Sequence, residues 1–323
     1  MSGKPEKLKL GLYWAASCGG CEIAVLEIAE RLLDLIQVAD IVFWPCAMDF
    51  KIADVEAMPD KHIDVCLFNG AIRNSESAHV AKLLRQKSKV LVAFGSCASE
   101  GCIPALANFY SKEALLERVY DETPSTDNPT KIRPQTTYKM PEGDLYLPEL
   151  WDTVYRLQDI VPIEYTVPGC PPIADQIWNV IMAIVKQQLP PPGAIVGAGN
   201  KVVCDECTHE KRMIKIKKFH RPHEIQADPD YCLLEQGIVC LGPVTRSGCG
   251  AMCLAANMPC RGCYGPGDEV LDIGAKMVSA IGSIIDSQNE EEIAEIVSEI
   301  VDPAGTFYRF GMAGSLLRRA RVK

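Results

Sequence analysis

Twelve of the fifteen cysteines in this chain fall into three sets of four, each opened or closed by a Cys-x-x-Cys pair. In chain order they are Cys18, Cys21, Cys97 and Cys170; then Cys204, Cys207, Cys232 and Cys240; then Cys249, Cys253, Cys260 and Cys263. Four thiolates around one centre suit a cubane iron-sulfur cluster or a structural zinc. Three such centres point to an electron relay, because a fold of this size does not need three metals to hold it together. The remaining thiols, Cys46, Cys66 and Cys102, have no partners at ligand spacing. Cys66 reads as a small core residue within a strand. Cys102 lies near the first set and is a candidate for contact behind its ligands.

The chain has 323 residues and is 48% hydrophobic, enough for two domains and a sizeable core in at least one. The start, MSGKPEKLKLGLYW, shows no apolar export segment and no twin arginine, so a cytoplasmic location is expected. There thiols stay reduced, and dense cysteine means metal ligation rather than disulfides. No run of eighteen apolar residues occurs, so no membrane span is expected. A formal charge of -9 argues against nucleic acid as a partner.

The elements that must position the cysteines follow from periodicity. LKLGLYW at 8–14 reads as a strand, and EIAVLEIAERLLDLI at 22–36 as one helix, with Ile23, Leu26, Ala29, Leu33 and Ile36 at helical spacing. Strands are expected at 41–44, 64–70, 89–97 and 163–170, with helices around 76–86 and 173–187. Strands alternating with helices imply a flavodoxin-like, doubly wound parallel sheet, an α/β fold over residues 1–190. The stretch 121–150 reads as a surface excursion, and LPPPG as a domain boundary. Residues 194–323 form an irregular cysteine-rich domain with helices near 270–284 and 290–301. Its clusters are expected to organise it, since a tetrathiolate site supplies on the order of 10 kcal/mol of folding free energy.

Cys18 and Cys21, Cys97 and Cys170 each follow a strand, and ligands in open parallel sheets gather outside the carboxyl ends of strands. Gly19, Gly20, Gly95 and Gly169 let backbone approach such a site closely. Zinc and buried free thiols are the competing readings of this set.

WAASCGGCEIAVLEI, FGSCASEGCIPALANFY and VPGCPPIADQIW resemble the small, electron-transferring subunit of nickel-iron hydrogenases. The resemblance implies that Cys18, Cys21, Cys97 and Cys170 hold a proximal 4Fe-4S cluster. The related quinone-site subunit of complex I carries one cluster and a tandem Cys-Cys on a shorter chain; here the pair is CGGC and eight further cysteines follow. YCLLEQGIVCLGPVT and CGAMCLAANMPCRGCYGP extend the resemblance to about residue 270. It implies a distal cluster on Cys204, Cys207, Cys232 and Cys240, and a medial cluster on Cys249, Cys253, Cys260 and Cys263. Respiratory members usually have histidine in place of Cys204 and lack Cys253, so here all three clusters are expected to be 4Fe-4S with thiolate ligands only. Added thiolate charge should lower the potentials. The chain thus looks most like the methyl-viologen-reducing, deazaflavin-non-reducing group.

That group implies a large subunit carrying the nickel-iron centre, and an electron acceptor of heterodisulfide-reductase, flavin or iron-sulfur type. No catalytic residue is expected on this chain, because the paired cysteine motifs of the catalytic subunit have no counterpart here. An electron-transfer or scaffold subunit of a complex I-like or other non-hydrogenase assembly, whose large subunit lacks nickel, is the rival reading.

His209, His220 and His223 lie near the second set and read either as replacement ligands or as surface residues. Glu22 reads as a proton or electrostatic gate beside the first set, or simply as a favourable acid at a helix N-terminus. Lys211, Arg212, Lys215, Lys217 and Lys218 crowd a basic segment after Cys207 and read as an acceptor dock, or as a solvated face. The C-terminal RRARVK is the alternative dock.

Overall fold

The computed structural model describes residues 7–317, so RRARVK lies outside the described residues. The first half is organised by β1 (Leu8–Trp14), α1 (Gly20–Leu26), α2 (Arg31–Val38), β2 (Ala39–Phe43), α3 (Ile52–Ala57), β3 (Ile63–Asn69), β4 (Ile72–Asn74), α4 (Ser75–Lys87), β5 (Ser88–Phe94) and α5 (Ser96–Glu100). It continues through α6 (Lys112–Glu117), β6 (Thr137–Met140), β7 (Gly143–Tyr146), β8 (Leu150–Tyr155), β9 (Tyr165–Val167) and α7 (Ala174–Val185). Five strands form one parallel sheet in the order β2-β1-β3-β5-β9, the doubly wound order expected from the sequence.

Alternation along the strands divides the core into two layers. Leu10, Leu12, Val65, Leu67, Val92 and Phe94 pack with Val25 of α1, Leu35 of α2 and Ile177, Val180 and Ile181 of α7. Cys66, Phe68, Leu91 and Ala93 face the other way, onto Val55 of α3 and Val80, Ala81 and Leu84 of α4. The register brings four strand ends level: Trp14 pairs with Asn69, Asn69 with Phe94, and Phe94 with Val167. The loops carrying the first four cysteines leave from this edge.

Two expectations need correction. The single helix over 22–36 is two helices, because Ala29 takes a left-handed conformation, φ 55°, between α1 and α2. The apolar stripe expected to define that helix also points outward: Ile23, Leu26, Leu33 and Ile36 are 45–65% exposed, while Ala24, Val25, Ile28 and Leu35 are buried. The excursion at 121–150 is not wholly irregular either. It holds the β6–β7 hairpin, exposed at every residue and therefore without an apolar face to signal it, and ends in β8, which pairs antiparallel with β4.

Residues 193–196 still belong to the sheet region, since Val196 N–H donates to Thr166 O at 2.8 Å and Val196 lies in the first core. Beyond them regular structure is sparse until α8 (Met252–Ala255), α9 (Ile273–Ile284), α10 (Glu290–Ser298) and α11 (Pro303–Phe307). A separate apolar core holds this part together, and it includes Cys240 and Cys260 themselves. The chain after α11 then folds back on the sheet region, packing Met312 and Ala313 against Ala105 and Phe109. Among the described residues no helix is long and apolar enough to cross a membrane.

Candidate metal centres

Strand geometry gathers the first set. Cys97 lies in the first turn of α5, which Gly95 joins to β5, Cys21 lies in the first turn of α1, and Cys170 follows β9. Burial raises the Cys21 thiol pKa, and the nearby Cys170 and Cys18 push the same way, so these three side chains share one space. Cys97, Cys102 and Cys170 pack together, with Cys102 Sγ 3.7 Å from Cys170 Sγ, which puts Cys102 behind this set as its sequence position suggested. A Cβ on Gly95, φ 81°, would collide with Cys21 Sγ, so glycine is what lets the β5 loop reach the thiols.

The second set lines one cavity of about 220 Å³: Cys204, Cys207, Cys232 and Cys240 all border it, with His209 and Lys211. A single zinc ion draws its thiolates to about 2.3 Å. Here, and throughout the described residues, no three His, Cys, Asp or Glu groups converge tightly enough to hold one ion. Four cysteines bordering one space are the donor chemistry that an iron-sulfur cluster takes. A Cβ on Gly242 would stand 3.1 Å from Cys204 Sγ and 3.6 Å from Cys240 Sγ, so backbone packs close to this space too. Burial pushes the Cys204 thiol up to about 12 against the pull of Lys211.

In the third set, Cys249, Cys253 and Cys260 lie within electrostatic reach of Cys263, whose thiol burial pushes up to about 12. Glu206, between two members of the second set, braces this loop by accepting the Gly248 N–H at 2.7 Å and the Gly250 N–H at 3.1 Å.

The third set touches both others. Cys263 packs with Cys97 and Cys170, and its carbonyl accepts the Ser96 hydroxyl. Tyr264 fixes the same junction: its hydroxyl donates to Gln176 at 2.7 Å, and Gln176 donates to Pro168 O at 3.0 Å. At the other end the Cys260 N–H donates to Cys240 Sγ at 3.3 Å, and the Leu241 N–H to Cys260 O at 2.9 Å. In space the order is therefore first, third, second.

Glu22 stands in the first turn of α1, as its helix-start reading has it, but is buried there, and it accepts hydrogen bonds from the Trp44 indole and, at 3.3 Å, from Cys46. Burial raises its pKa, with those two donors partly offsetting. Cys46 thus has a partner that spacing did not reveal. Cys66 is fully buried in β3. His220 and His223 do not border the second cavity, whereas His209 does, with its Nδ1 buried and without a hydrogen bond. Of the basic segment, Arg212 pairs with Glu210 at 3.2 Å, Lys217 with Asp286 at 3.7 Å, and Lys215 donates to Ser283 O at 2.6 Å. Much of its charge is already engaged.

A family model described as the NADH ubiquinone oxidoreductase 20 Kd subunit matches residues 18–184, the sheet region. The iron-sulfur subunit of the F420-non-reducing hydrogenase of Archaeoglobus profundus is 39% identical over 98% of this chain and 99% of its own length. This chain is a hydrogenase iron-sulfur subunit of that family. A vhu subunit of the Methanocaldococcus jannaschii F420-non-reducing hydrogenase, 36% identical over 97% of both chains, extends the likeness. The small-subunit resemblance read from the cysteine motifs, and its deazaflavin-non-reducing assignment, are thereby established, and the complex I-type family model covers the sheet region. A reduced Ni-Fe-Se hydrogenase of Desulfomicrobium baculatum shares the fold: TM-score 0.50 at 19% identity, covering 81% of this chain and 95% of that one.

Proposed function

We propose that this hydrogenase subunit passes single electrons between the nickel-iron centre of a partner large subunit and an acceptor protein, through 4Fe-4S clusters held by the three cysteine sets. When bound, the clusters supply reversible one-electron chemistry. The carrying observation is the pair of junctions made by the third set, Cys263 against Cys170 and Cys260 against Cys240. That order supports Cys18, Cys21, Cys97 and Cys170 as proximal ligands, Cys249, Cys253, Cys260 and Cys263 as medial, and Cys204, Cys207, Cys232 and Cys240 as distal.

The chain's own residues hold and shield these sites. Ser96, Gln176 and Tyr264 fix the first junction, Glu206 braces the Cys249 loop, and buried Phe310 covers Cys97. Cys18 is exposed, and α1, which begins two residues after it, and α2 turn the apolar side chains Ile23, Leu26, Leu33 and Ile36 outward. Such a face suits a large subunit seated over the first set. The second cavity, bordered by Lys211, suits the exit to an acceptor in the cytoplasm.

The test is Cys240→Ala in the assembled complex. Hydrogen–deuterium exchange by the partner should persist, while reduction of an external protein acceptor by dihydrogen falls to background. Normal acceptor reduction by a folded variant that has lost its distal cluster would refute the relay.

A further inference from the structure

A recess of about 280 Å³ adjoins the third set and belongs to none of the cysteine sites. Three guanidinium groups line it, Arg221, Arg261 and Arg309, together with His220. Arg261 sits between Cys260 and Cys263 in the chain. Elsewhere in this half of the molecule arginines are matched, Arg212 by Glu210 and Arg246 by Asp268 at 2.6 Å. Among the described residues none of the three arginines of the recess has an ion pair within 4.0 Å.

Two carboxylates also border the recess and offset part of its positive charge, and each also accepts a backbone N–H. Glu299 accepts the Phe219 N–H at 2.7 Å, and Asp302 accepts the Gly305 N–H at 3.0 Å as the cap of α11. Burial, and next the charge of Arg261, press the Arg309 guanidinium below its ordinary range, while Asp302 pulls back. Arg309 is half-buried while Arg261 and Arg221 are exposed, and like charges facing one another repel until a counter-charge joins them. Guanidinium forks match phosphate and carboxylate oxygens in paired hydrogen bonds.

We propose that the recess is a binding site for a small phosphate- or carboxylate-bearing anion, gripped by Arg261 and Arg309 with Arg221 and His220 beside them. Its volume lies just below the roughly 300–1,000 Å³ range of small-molecule sites, which favours a compact ligand.

The purified complex at low ionic strength is titrated calorimetrically with pyrophosphate and, separately, with citrate, against a chloride control. Saturable binding of one anion per chain is expected, weakened about tenfold or more in Arg309→Gln for the loss of a charge-assisted hydrogen-bond pair. Arg309→Lys, which keeps charge but not the fork, should fall between. Lys217→Gln, in the neighbouring basic segment, should bind as the parent does. Pyrophosphate without citrate binding would identify a phosphate site, and the reverse a carboxylate site. Absence of saturable binding, or equal weakening by Lys217→Gln, overturns the proposal. Slower reduction of a protein acceptor by Arg309→Gln without any small-anion binding overturns it in favour of a docking contact.

Discussion

The sheet region and the cysteine-rich region offer the same kind of thiol set on opposite kinds of support. In the first, loops carry the cysteines away from level strand ends, and the layers beneath are apolar side chains such as Leu67, Phe94 and Ile177. In the second, Cys240 and Cys260 are members of the core, with Cys207, Cys232 and Cys249 packed on it. One region can shape its site without metal, whereas in the other the cysteines of the sites are themselves part of the core, so ligation and packing are coupled. Metal binding of about 10 kcal/mol per tetrathiolate site would rival the whole stability of a typical domain, about 5–15 kcal/mol.

The largest expected effect breaks this comparison directly. Removing iron with chelator and reductant should abolish amide protection over residues 198–263 while β1, β3 and β5 stay protected in hydrogen-exchange mass spectrometry. Equal loss in both regions would contradict the contrast. Next in size, Leu67→Ala should lower stability by about 2–5 kcal/mol through an unfilled space in the sheet core, in metal-loaded and metal-depleted protein alike. Cys240→Ala should shift the denaturant midpoint only in the loaded form.

A smaller effect concerns the outward stripe. Leu33→Glu with Ile36→Glu should leave the thermal midpoint of the free subunit within a degree or two while weakening its association with the large subunit, read by size-exclusion chromatography. Unchanged association would place the partner elsewhere.

The smallest sits where the two regions meet. The Glu100 carboxylate packs against Gly314 and Gly265, and burial pushes its pKa up to about 7, against the pull of Arg156 and Arg246. An acid whose pKa is higher folded than unfolded binds its proton more tightly in the native state, so stability falls as pH rises from about 4.5 to about 7. Glu100→Gln should flatten thermal stability across that window and raise it above pH 7. A variant with the parent's slope would assign the slope to other groups.

Much of this architecture is legible in sequence because its signals are local. Short, near-continuous apolar runs mark β1, β3 and β5, and the topology then carries Cys18, Cys97 and Cys170 to one edge. The break at Ala29 is not legible, since the apolar spacing runs across it and only backbone conformation separates α1 from α2. Nor does periodicity tell an inward stripe from an outward one when both are apolar, as with Leu35 and Leu33. The braces Ser96, Glu206 and Tyr264 join segments tens to hundreds of residues apart, and adjacency to a cysteine was their sole sequence signal. The return of Phe310 over Cys97 has no local signature at all.

The most direct test of the relay is an iron and acid-labile sulfide determination on the anaerobically purified subunit in its complex, counting only iron outside the nickel site. Three complete thiolate sets predict about twelve irons and about twelve sulfides per chain. A content near eight of each, with Cys204, Cys207, Cys232 and Cys240 or Cys249, Cys253, Cys260 and Cys263 left as free thiols on alkylation, would contradict it.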